Sequence, residues 1–447
     1  MQIQIQEKFF QSNFGFLMAA TGFAVGLGNI WRFPYVTGEN GGAAFVLVYI
    51  VCALCIGIPI LIAEIMIGRR GQASPPDSMQ RFAQEQGASS AWRGVGNLNL
   101  VTAFLIQATY CVVAGWVLWY LFKAIVTGFV GIDSAHAASA FSAVLGDIVG
   151  MLFWTIVALS ITGTIIYFGV NKGIERSVRI LMPTLFLLMV CLVNYNIIAG
   201  GFDRAITYLF TPDFSKITPP MILAAIGQAF FSIGVAMAGM MMFGAYLPKS
   251  FSIPRAALII IVIDTMVALL AGLMIFPIVF RFGLDPAGGT GLIFQTLPVA
   301  FAQMPGGHLV AIVFFLLLSV AAVTSMVGLV EPLVARAEER WSMTRQKATG
   351  VVLAAIAVLA IFSVLSYNVI GDYRVLGFDL NGILDFTSNQ IMLPIGGLLI
   401  AIFTGWVVKR SSSREELRMG SLFSAWYLLI RYLVPLAIVV VLLTGLL

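Results

Sequence analysis

Long apolar runs separated by short polar stretches set the pattern of this chain. The runs reach about 20 residues or more and lack the alternation of a membrane β-strand, so they are long enough to cross a bilayer as helices. They predict eleven helical spans, at about residues 14–36, 42–70, 96–126, 148–169, 177–199, 219–246, 256–281, 307–336, 346–368, 384–408 and 419–446. Between spans 7 and 8, the segment GLIFQTLPVAFAQ predicts a short helical hairpin.

The composition agrees with an all-α polytopic membrane protein. The chain is 60% hydrophobic and 10% charged, whereas a soluble domain carries about 25% charged residues. The net charge of +5 is spread over short loops, so it does not indicate a nucleic-acid partner. The four cysteines lie in apolar runs, which favours small core side chains over a disulfide or a metal site.

The distribution of Lys and Arg predicts the orientation of the chain, because basic loops tend to stay in the cytoplasm. If the N-terminus is cytoplasmic, the outer side holds few basic residues, namely Arg32, Lys123, Arg204, Lys216, Arg281 and Arg374. An eleventh span then places the C-terminus outside. Arg431 falls within span 11, and we expect it either to snorkel or to pair across a homodimer contact.

Two of the spans are interrupted by glycines. Span 1 contains GFAVGLGNIWRFP and span 6 contains GQAFFSIGVAMAG. Unwound backbone at membrane depth needs a partner such as an ion or a polar substrate. Because spans 1 and 6 would begin two five-span halves, about 14–199 and 219–408, the paired interruptions predict a binding site between the halves. The alternative is that these glycines only permit close helix packing.

Five polar residues fall near the same depth, namely Asn29, Ser232, Asp264, Thr324 and Ser325. An unpaired aspartate near the middle of a bilayer costs about 2.5–3.5 kcal/mol. The neighbouring spans offer no Lys or Arg at that depth, so Na⁺ or a proton is the candidate partner of Asp264. The alternatives are a protonated core carboxyl for Asp264 and ordinary hydroxyl-to-backbone bonding for Thr324 and Ser325.

At this point the sequence resembles the neurotransmitter:sodium symporter family, whose bacterial members transport amino acids. The resemblance covers nearly the whole chain, and its strongest motifs are GFAVGLGNIWRFPY, ENGGAAF, TYCVVAGW, GQAFFSIGVAM, DTMVALLAG and TSMVGLVEP. It implies a leucine-transporter fold, with inverted repeats and with helices 1 and 6 broken. It also implies one transporter domain over residues 1–447, with an extra helix at about 419–446, in a bacterial plasma membrane.

The resemblance implies two sodium sites and one substrate site. The first sodium site would use Ala24, Asn29, Ser232 and Asp264, together with the carboxylate of the substrate. The second sodium site would use Gly22, Val25, Ala321, Thr324 and Ser325. The substrate would contact Phe23, Ala24, Leu27, Gly28, Ile106, Tyr110, Phe231, Ser232, Gly234, Met237, Ser325 and Leu329.

Two positions indicate the class of substrate and ion. Monoamine carriers of the family have an aspartate where this chain has Gly26, so we expect a substrate with its own carboxylate. Chloride-dependent members have an asparagine at the position of Asp264 and bind chloride near Tyr49, Gln228 and Ser232, so we expect no chloride requirement. The apolar pocket predicts a neutral, hydrophobic amino acid, for which Gly234 leaves room and Phe23 reduces it.

The same resemblance implies two gates. Arg32 and Asp385 would close the outer side over the substrate. Tyr246 and Glu339 match the closing network of the inner side. The N-terminal arginine of that network is missing here, and Lys8 is the candidate substitute.

We therefore predict symport of two Na⁺ and one amino acid into the cell by alternating access, and no enzymatic activity. The expected partners are the bilayer, the amino acid and a possible second copy of the chain. One alternative is coupling to protons through Asp264. Another is an amino-acid-gated sodium channel or a sensor that binds without transport.

Overall fold

The structure is a computed structural model that describes residues 9–286, 291–375 and 377–446. In these ranges the chain is helical, and the only β-type pairing is an isolated bridge between Val375 and Phe378. The prediction of an all-α polytopic membrane protein is confirmed. Lys8, the candidate cation of the inner gate, lies outside the described residues.

Each predicted span corresponds to a helix or to a pair of helices. Spans 1 and 6 are broken into the pairs Asn13–Ala24 with Gly28–Glu39, and Pro219–Ile233 with Gly239–Ala245. The two helices of span 1 meet at 49°. Spans 2–5 and 7–11 are Ala43–Gly71, Ser90–Val126, Ile148–Tyr167, Val170–Ala199, Ile253–Arg281, Gly307–Trp341, Arg345–Ser366, Leu380–Val407 and Leu422–Thr444.

Span 8 forms the centre of the bundle and span 11 lies at its edge. In the most apolar part of each span, 83% of the residues of span 8 are buried, against 22% in span 11. Span 8 packs most extensively on span 3 and also contacts the first helix of span 1. A helix that is apolar all round is enclosed by other helices, as span 8 is, whereas lipid covers one side of span 11.

The connection between spans 7 and 8 differs from its prediction. The described part of GLIFQTLPVAFAQ is one continuous helical element, Leu292–Thr296 followed by Leu297–Gln303, rather than a hairpin. Pro298 stands at the start of its second part, after a wide π-helical turn. Proline has no N–H to donate, but near the start of a helical segment this N–H is not needed for a helical hydrogen bond. Pro298 therefore does not break the helix.

Close glycine contacts fix the inner half of span 6 against span 2. A Cβ atom added at Gly68 would lie 1.8 Å from the carbonyl oxygen of Met241, and one at Gly244 would lie 2.5 Å from that of Ile65. No side chain fits between backbones at these distances. The two glycines therefore determine how deeply the short helix Gly239–Ala245 sits in the bundle.

We expect Gly68→Ala to lower the thermal unfolding midpoint of the purified protein in detergent, because overpacking of this kind costs about 1–3 kcal/mol. The matched control is Gly350→Ala in span 9, where an added Cβ meets nothing within 4 Å. This control should keep or slightly raise the midpoint, since alanine favours a helix. Equal midpoints for the two variants would contradict the packing argument.

Candidate functional site

The break in span 1 exposes backbone groups that side chains then bind. The first helix ends at Ala24, and Val25 is extended with φ −74° and ψ 97°. The N–H of Gly26 donates to Asn29 Oδ1 at 3.2 Å. The N–H of Leu27 donates to the hydroxyl of Tyr110 in span 3, also at 3.2 Å. Polar side chains at the break thus replace the helical hydrogen bonds that it gives up.

The break in span 6 holds three residues in the left-handed region. Gly234, Ala236 and Ala238 have φ values of 71°, 60° and 64°. Such a conformation costs an alanine of the order of 1–3 kcal/mol and persists only where its surroundings enforce it. Here the buried carboxylate of Glu64 in span 2 accepts the N–H of Ala236. The glycines of this segment indicate the break, whereas neither alanine nor Glu64 could be assigned to it from the sequence.

Asp264 of span 7 lies in a fully buried hydrogen-bond cluster. Its Oδ1 accepts from Asn29 Nδ2 at 2.8 Å. Its Oδ2 accepts from Ser232 Oγ at 2.8 Å and from the hydroxyl of Tyr49 at 3.1 Å. The structure thus brings together the polar residues predicted in spans 1, 6 and 7, and adds Tyr49 of span 2. All these partners are neutral, so none of them balances the charge of an ionised carboxylate.

The amide of Asn29 links this cluster to the first break. Its nitrogen also lies 2.9 Å from Ser232 Oγ and 3.1 Å from the backbone oxygen of Asp264. Half a turn of the amide would place Oδ1 beside the same oxygens and give up the hydrogen bond from the Gly26 N–H; the cluster would then consist of the oxygen ligands that hard cations prefer. In the described part of the chain, no group of three or more His, Cys, Asp or Glu side chains could hold a metal ion. A cation would therefore bind here mainly through neutral oxygens.

The second predicted ion site lies between spans 1 and 8. Ser325 Oγ donates to the carbonyl oxygen of Phe23 at 3.2 Å and lies 3.5 Å from that of Gly22. Thr324 Oγ1 instead donates within its own helix, to Val320 at 3.0 Å and Ala321 at 3.1 Å. Ser325 thus bridges the two spans, whereas Thr324 follows the hydroxyl-to-backbone alternative.

Phe23 occupies a space that three glycines leave open. A Cβ atom added at Gly234 would lie 2.9 Å from the ring of Phe23. One added at Gly239 would lie 2.5 Å from the ring, and one added at Gly328 would lie 2.2 Å from it. The ring also packs edge-on against Phe243, with centroids 6.1 Å apart. The expectation that Gly234 leaves room for the substrate is therefore corrected: the ring of Phe23 takes that room.

A cavity of about 410 Å³ lies beside the two breaks. Four of the predicted substrate residues line it, namely Leu27, Ile106, Tyr110 and Phe231. The other eight predicted substrate residues are buried and outside its lining, namely Phe23, Ala24, Gly28, Ser232, Gly234, Met237, Ser325 and Leu329. The cavity thus reaches the break of span 1, and Phe23 lies behind the surface that it exposes.

The predicted outer gate residues face this cavity but do not form an ion pair. Among the described residues, Arg32 and Asp385 each contact another group: the guanidinium of Arg32 lies 4.7 Å from the ring centre of Phe231. Asp385 Oδ1 accepts from Asn389 Nδ2 at 2.7 Å. In this conformation each group therefore has another contact and the pair is not formed; the closure of Arg32 and Asp385 over a bound substrate stays a prediction.

The inner network has a different composition from the predicted one. Tyr246 donates to Glu331 Oε1 at 2.7 Å, and Arg345 donates to the same oxygen at 3.1 Å. Glu339 instead accepts the N–H of Ser74 at 2.9 Å. Of the two residues predicted for this network, Tyr246 thus binds Glu331 and Glu339 binds the backbone at Ser74, and their role in closure stays a prediction. Glu331, a carboxylate within an apolar run, was the signal in the sequence that a cation had to lie nearby.

The N-terminal end of span 1 is fastened to the same face. The N–H of Phe10 donates to the carbonyl oxygen of Tyr246 at 3.2 Å. Glu175 in span 5 accepts from the N–H of Gln11 and from Ser12 Oγ, each at 2.9 Å. Arg179 completes this group with an ion pair to Glu175 at 2.5 Å. These contacts hold the first helix of span 1 against spans 5 and 6.

A helical bundle with two broken spans around a buried polar cluster defines a membrane transporter of the leucine-transporter type. Residues 7–137 and 135–447 match the profile of the Sodium:neurotransmitter symporter family. The chain belongs to this family, whose members are sodium-coupled transporters rather than enzymes.

Individual relatives agree with this assignment. The solved structure of MhsT in complex with L-phenylalanine superposes with a TM-score of 0.90, at 39% identity, over 98% of this chain and 99% of that one. An uncharacterized sodium-dependent transporter of Bacillus subtilis is 37% identical over 96% of each chain. Another from Haemophilus influenzae is 33% identical over 99% of this chain and 98% of its own.

We expect Gly328→Ala to lower the thermal unfolding midpoint, because the new Cβ would overlap Phe23 and overpacking costs about 1–3 kcal/mol. In a Phe23→Leu background the same substitution should cost clearly less, since the smaller side chain can withdraw. Gly94→Ala, where an added Cβ meets nothing within 4 Å, is the control. Additive effects of the two substitutions would show that Phe23 is not what Gly328 accommodates.

Proposed function

We propose that the protein carries a neutral, hydrophobic amino acid into the cell together with two Na⁺, by alternating access and without chloride. The proposal includes a cytoplasmic N-terminus in a bacterial plasma membrane and two repeats at about 14–199 and 219–408, with residues 419–446 as an extra helix. The observation that carries it is the buried carboxylate of Asp264, which meets only neutral donors beside the break of span 1.

Sodium is the cargo that this cluster fits best. An ionised carboxylate in the middle of a membrane protein needs a positive charge, and Asn29, Ser232 and Tyr49 supply none. A half-turn of the Asn29 amide gives the oxygen ligands, and the carbonyl of Ala24 at the end of the broken helix adds another. The second ion would use the carbonyls of Gly22, Val25 and Ala321 with the hydroxyls of Ser325 and Thr324. For that, Thr324 would have to turn one acceptor lone pair towards the ion.

The first break supports a substrate that brings its own carboxylate. A Cβ at Gly26 would lie 2.3 Å from Ser325 Oγ and 3.0 Å from the hydroxyl of Tyr110, so an acidic side chain at position 26 has no space. The hydroxyl of Tyr110 accepts from Leu27, and its own proton can therefore be donated to a carboxylate. A substrate carboxylate held here would also lie near the first sodium site, which couples the two cargoes.

The lining of the cavity supports a neutral, apolar side chain. Ile106 and Phe231 contribute apolar surface beside the break, and Phe23 limits the depth behind it. The charged groups of the cavity, Arg32 and Asp385, are the two outer gate residues. MhsT, which is 39% identical, was solved with L-phenylalanine, and this agrees with the proposed class of substrate.

The same cluster supports transport without chloride. Tyr49 and Ser232, which would approach a bound anion in chloride-dependent relatives, donate here to Asp264. A fixed carboxylate at this place repels a second anion and supplies the negative charge itself. A proton on Asp264 would remove that charge, so proton coupling is the alternative that the first experiment must separate.

We expect the purified protein in liposomes to accumulate labelled phenylalanine, leucine or another neutral amino acid when Na⁺ is higher outside, and not with K⁺ in its place. Replacement of chloride by gluconate should leave the initial rate unchanged. Uptake driven by a pH gradient without Na⁺ would contradict sodium coupling, and binding without accumulation would indicate a sensor or a channel.

In the same assay, we expect Asp264→Asn to abolish most uptake in gluconate and to recover part of it in chloride. The amide keeps the shape of the side chain but removes the negative charge, which an external anion could then replace. Loss of uptake that chloride does not restore would contradict the role assigned to the charge of Asp264.

For the second sodium site, we expect Ser325→Ala to raise the Na⁺ concentration for half-maximal uptake about tenfold, since a lost contact to a charged group costs about 1.5–3 kcal/mol. The matched control is Ser319→Ala in the same span, whose hydroxyl donates to Phe315 at 2.7 Å within the helix. Equal Na⁺ dependence of the two variants would remove Ser325 from the ion site.

A further inference from the structure

Arg431 is a charged residue well inside span 11. It lies nine residues after Leu422, where the span begins, which is about 14 Å along a helix. Its guanidinium turns back towards that end, because Nη1 donates to the hydroxyl of Tyr427 at 3.0 Å. The same group lies 4.3 Å from the ring centre of Trp406, next to the last residue of span 10. The charge therefore sits near the membrane interface.

Arg431 has no carboxylate partner in the described part of the chain. Glu416, an acidic residue at this end of the bundle, is already paired with Arg69 at 2.5 Å and with Arg70 at 3.2 Å. Among the described residues, Nη1 of Arg431 has an acceptor in Tyr427, whereas Nε is buried without one. The rings of Trp406, Tyr427 and Tyr432 have their centres 4.3, 5.7 and 5.5 Å from this cation, but none of them carries a countercharge, which an anion from outside the chain could supply.

Two further arginines approach the same aromatic rings. The guanidinium of Arg410 lies 5.2 Å from the ring centre of Tyr427, and that of Arg414 lies 5.8 Å from that of Phe423. Neither forms an ion pair among the described residues. We name this group the basic aromatic surface; it consists of Trp406, Arg410, Arg414, Phe423, Tyr427 and Arg431.

Phe423 and Tyr427 form the buried floor of the basic aromatic surface, whereas Trp406, Arg410 and Arg414 are exposed at the side of the bundle. Trp406 is 56% exposed, and Leu428, Tyr432 and Leu436 are more than half exposed. These last three residues follow one another at intervals of four, so they form one apolar stripe along span 11. The surface thus combines a cationic end at interface depth with an apolar stripe that runs into the membrane.

We propose that the basic aromatic surface binds an anionic phospholipid, with its phosphate on Arg431 and an acyl chain along the apolar stripe. A lipid phosphate is the anion that the bilayer itself supplies at this depth. The planar guanidinium binds phosphate through two parallel hydrogen bonds, and Arg410 and Arg414 add to the attraction. A second copy of this chain would bring the same uncompensated charges, which disfavours a twofold contact here. The inference is independent of the proposed substrate.

The test is native mass spectrometry of the full chain in detergent with equal amounts of phosphatidylglycerol and phosphatidylethanolamine. We expect the wild type to retain phosphatidylglycerol preferentially, and Arg431→Gln to reduce that preference about fivefold. Arg431→Lys should reduce it less, because the charge remains without the planar donor pair. The matched control is Arg374→Gln, an exposed arginine of the loop between spans 9 and 10, which should change nothing.

Folding of each variant is checked by its thermal unfolding midpoint in lipid-free detergent. If Arg431→Gln does not fold, the lipid preference is measured on Arg431→Lys and Trp406→Phe instead. Three outcomes would overturn the proposal. One is an unchanged lipid preference in the folded variants. Another is displacement of the lipid by inorganic phosphate at equal concentration, which would show an anion site without a lipid. The third is a lipid-free dimer that Arg431→Gln dissociates, which would mean that a second copy covers the surface.

Discussion

The burial of one carboxylate among neutral hydrogen-bond donors is the constraint on which the centre of this protein depends. Asp264 draws Asn29, Ser232 and Tyr49 into contact, and these residues come from spans 1, 6 and 2. The break in span 1 frees the backbone beside this cluster. The broken helix and the buried charge thus explain each other: each would be unfavourable in a bilayer, and together they make the ion site that we propose.

Closure on the two sides of this centre depends on different interactions. On the outer side, Arg32 rests on the ring of Phe231 while Asp385 binds Asn389. On the inner side, the buried Glu331 binds both Tyr246 and Arg345. A cation on an aromatic ring is easily exchanged for another partner, whereas a buried charge pair resists separation. This conformation is therefore held more firmly at Glu331 than at Arg32.

Local patterns in the sequence were enough to predict the spans, the two breaks and the polar cluster. Apolar runs, paired glycines and isolated polar residues in those runs each carry a physical cost that identifies them. The partners of a residue in other spans leave no such signal. The packing of Phe23 requires glycines from two other spans. Glu331 indicates a nearby cation, but not that this cation is Arg345, which lies beyond the end of the same helix. The contacts that Arg32 and Asp385 make in this conformation could not be predicted, because residue types suggest a partner but not a conformation.

The close packing of Phe23 against three glycines also limits the order in which substitutions can accumulate in this chain. While Phe23 is present, none of the three glycines can be replaced by a larger residue. If Phe23 is replaced by a smaller residue first, a void is left beside the glycines. A substitution of Phe23 alone or of a glycine alone therefore lowers stability, so a new pocket shape must be reached through a less stable intermediate sequence. Descendants of this sequence would be expected to keep all four residues or to replace several of them together. Substitutions in this pocket would then be rare, and each change of its shape would involve several residues at once.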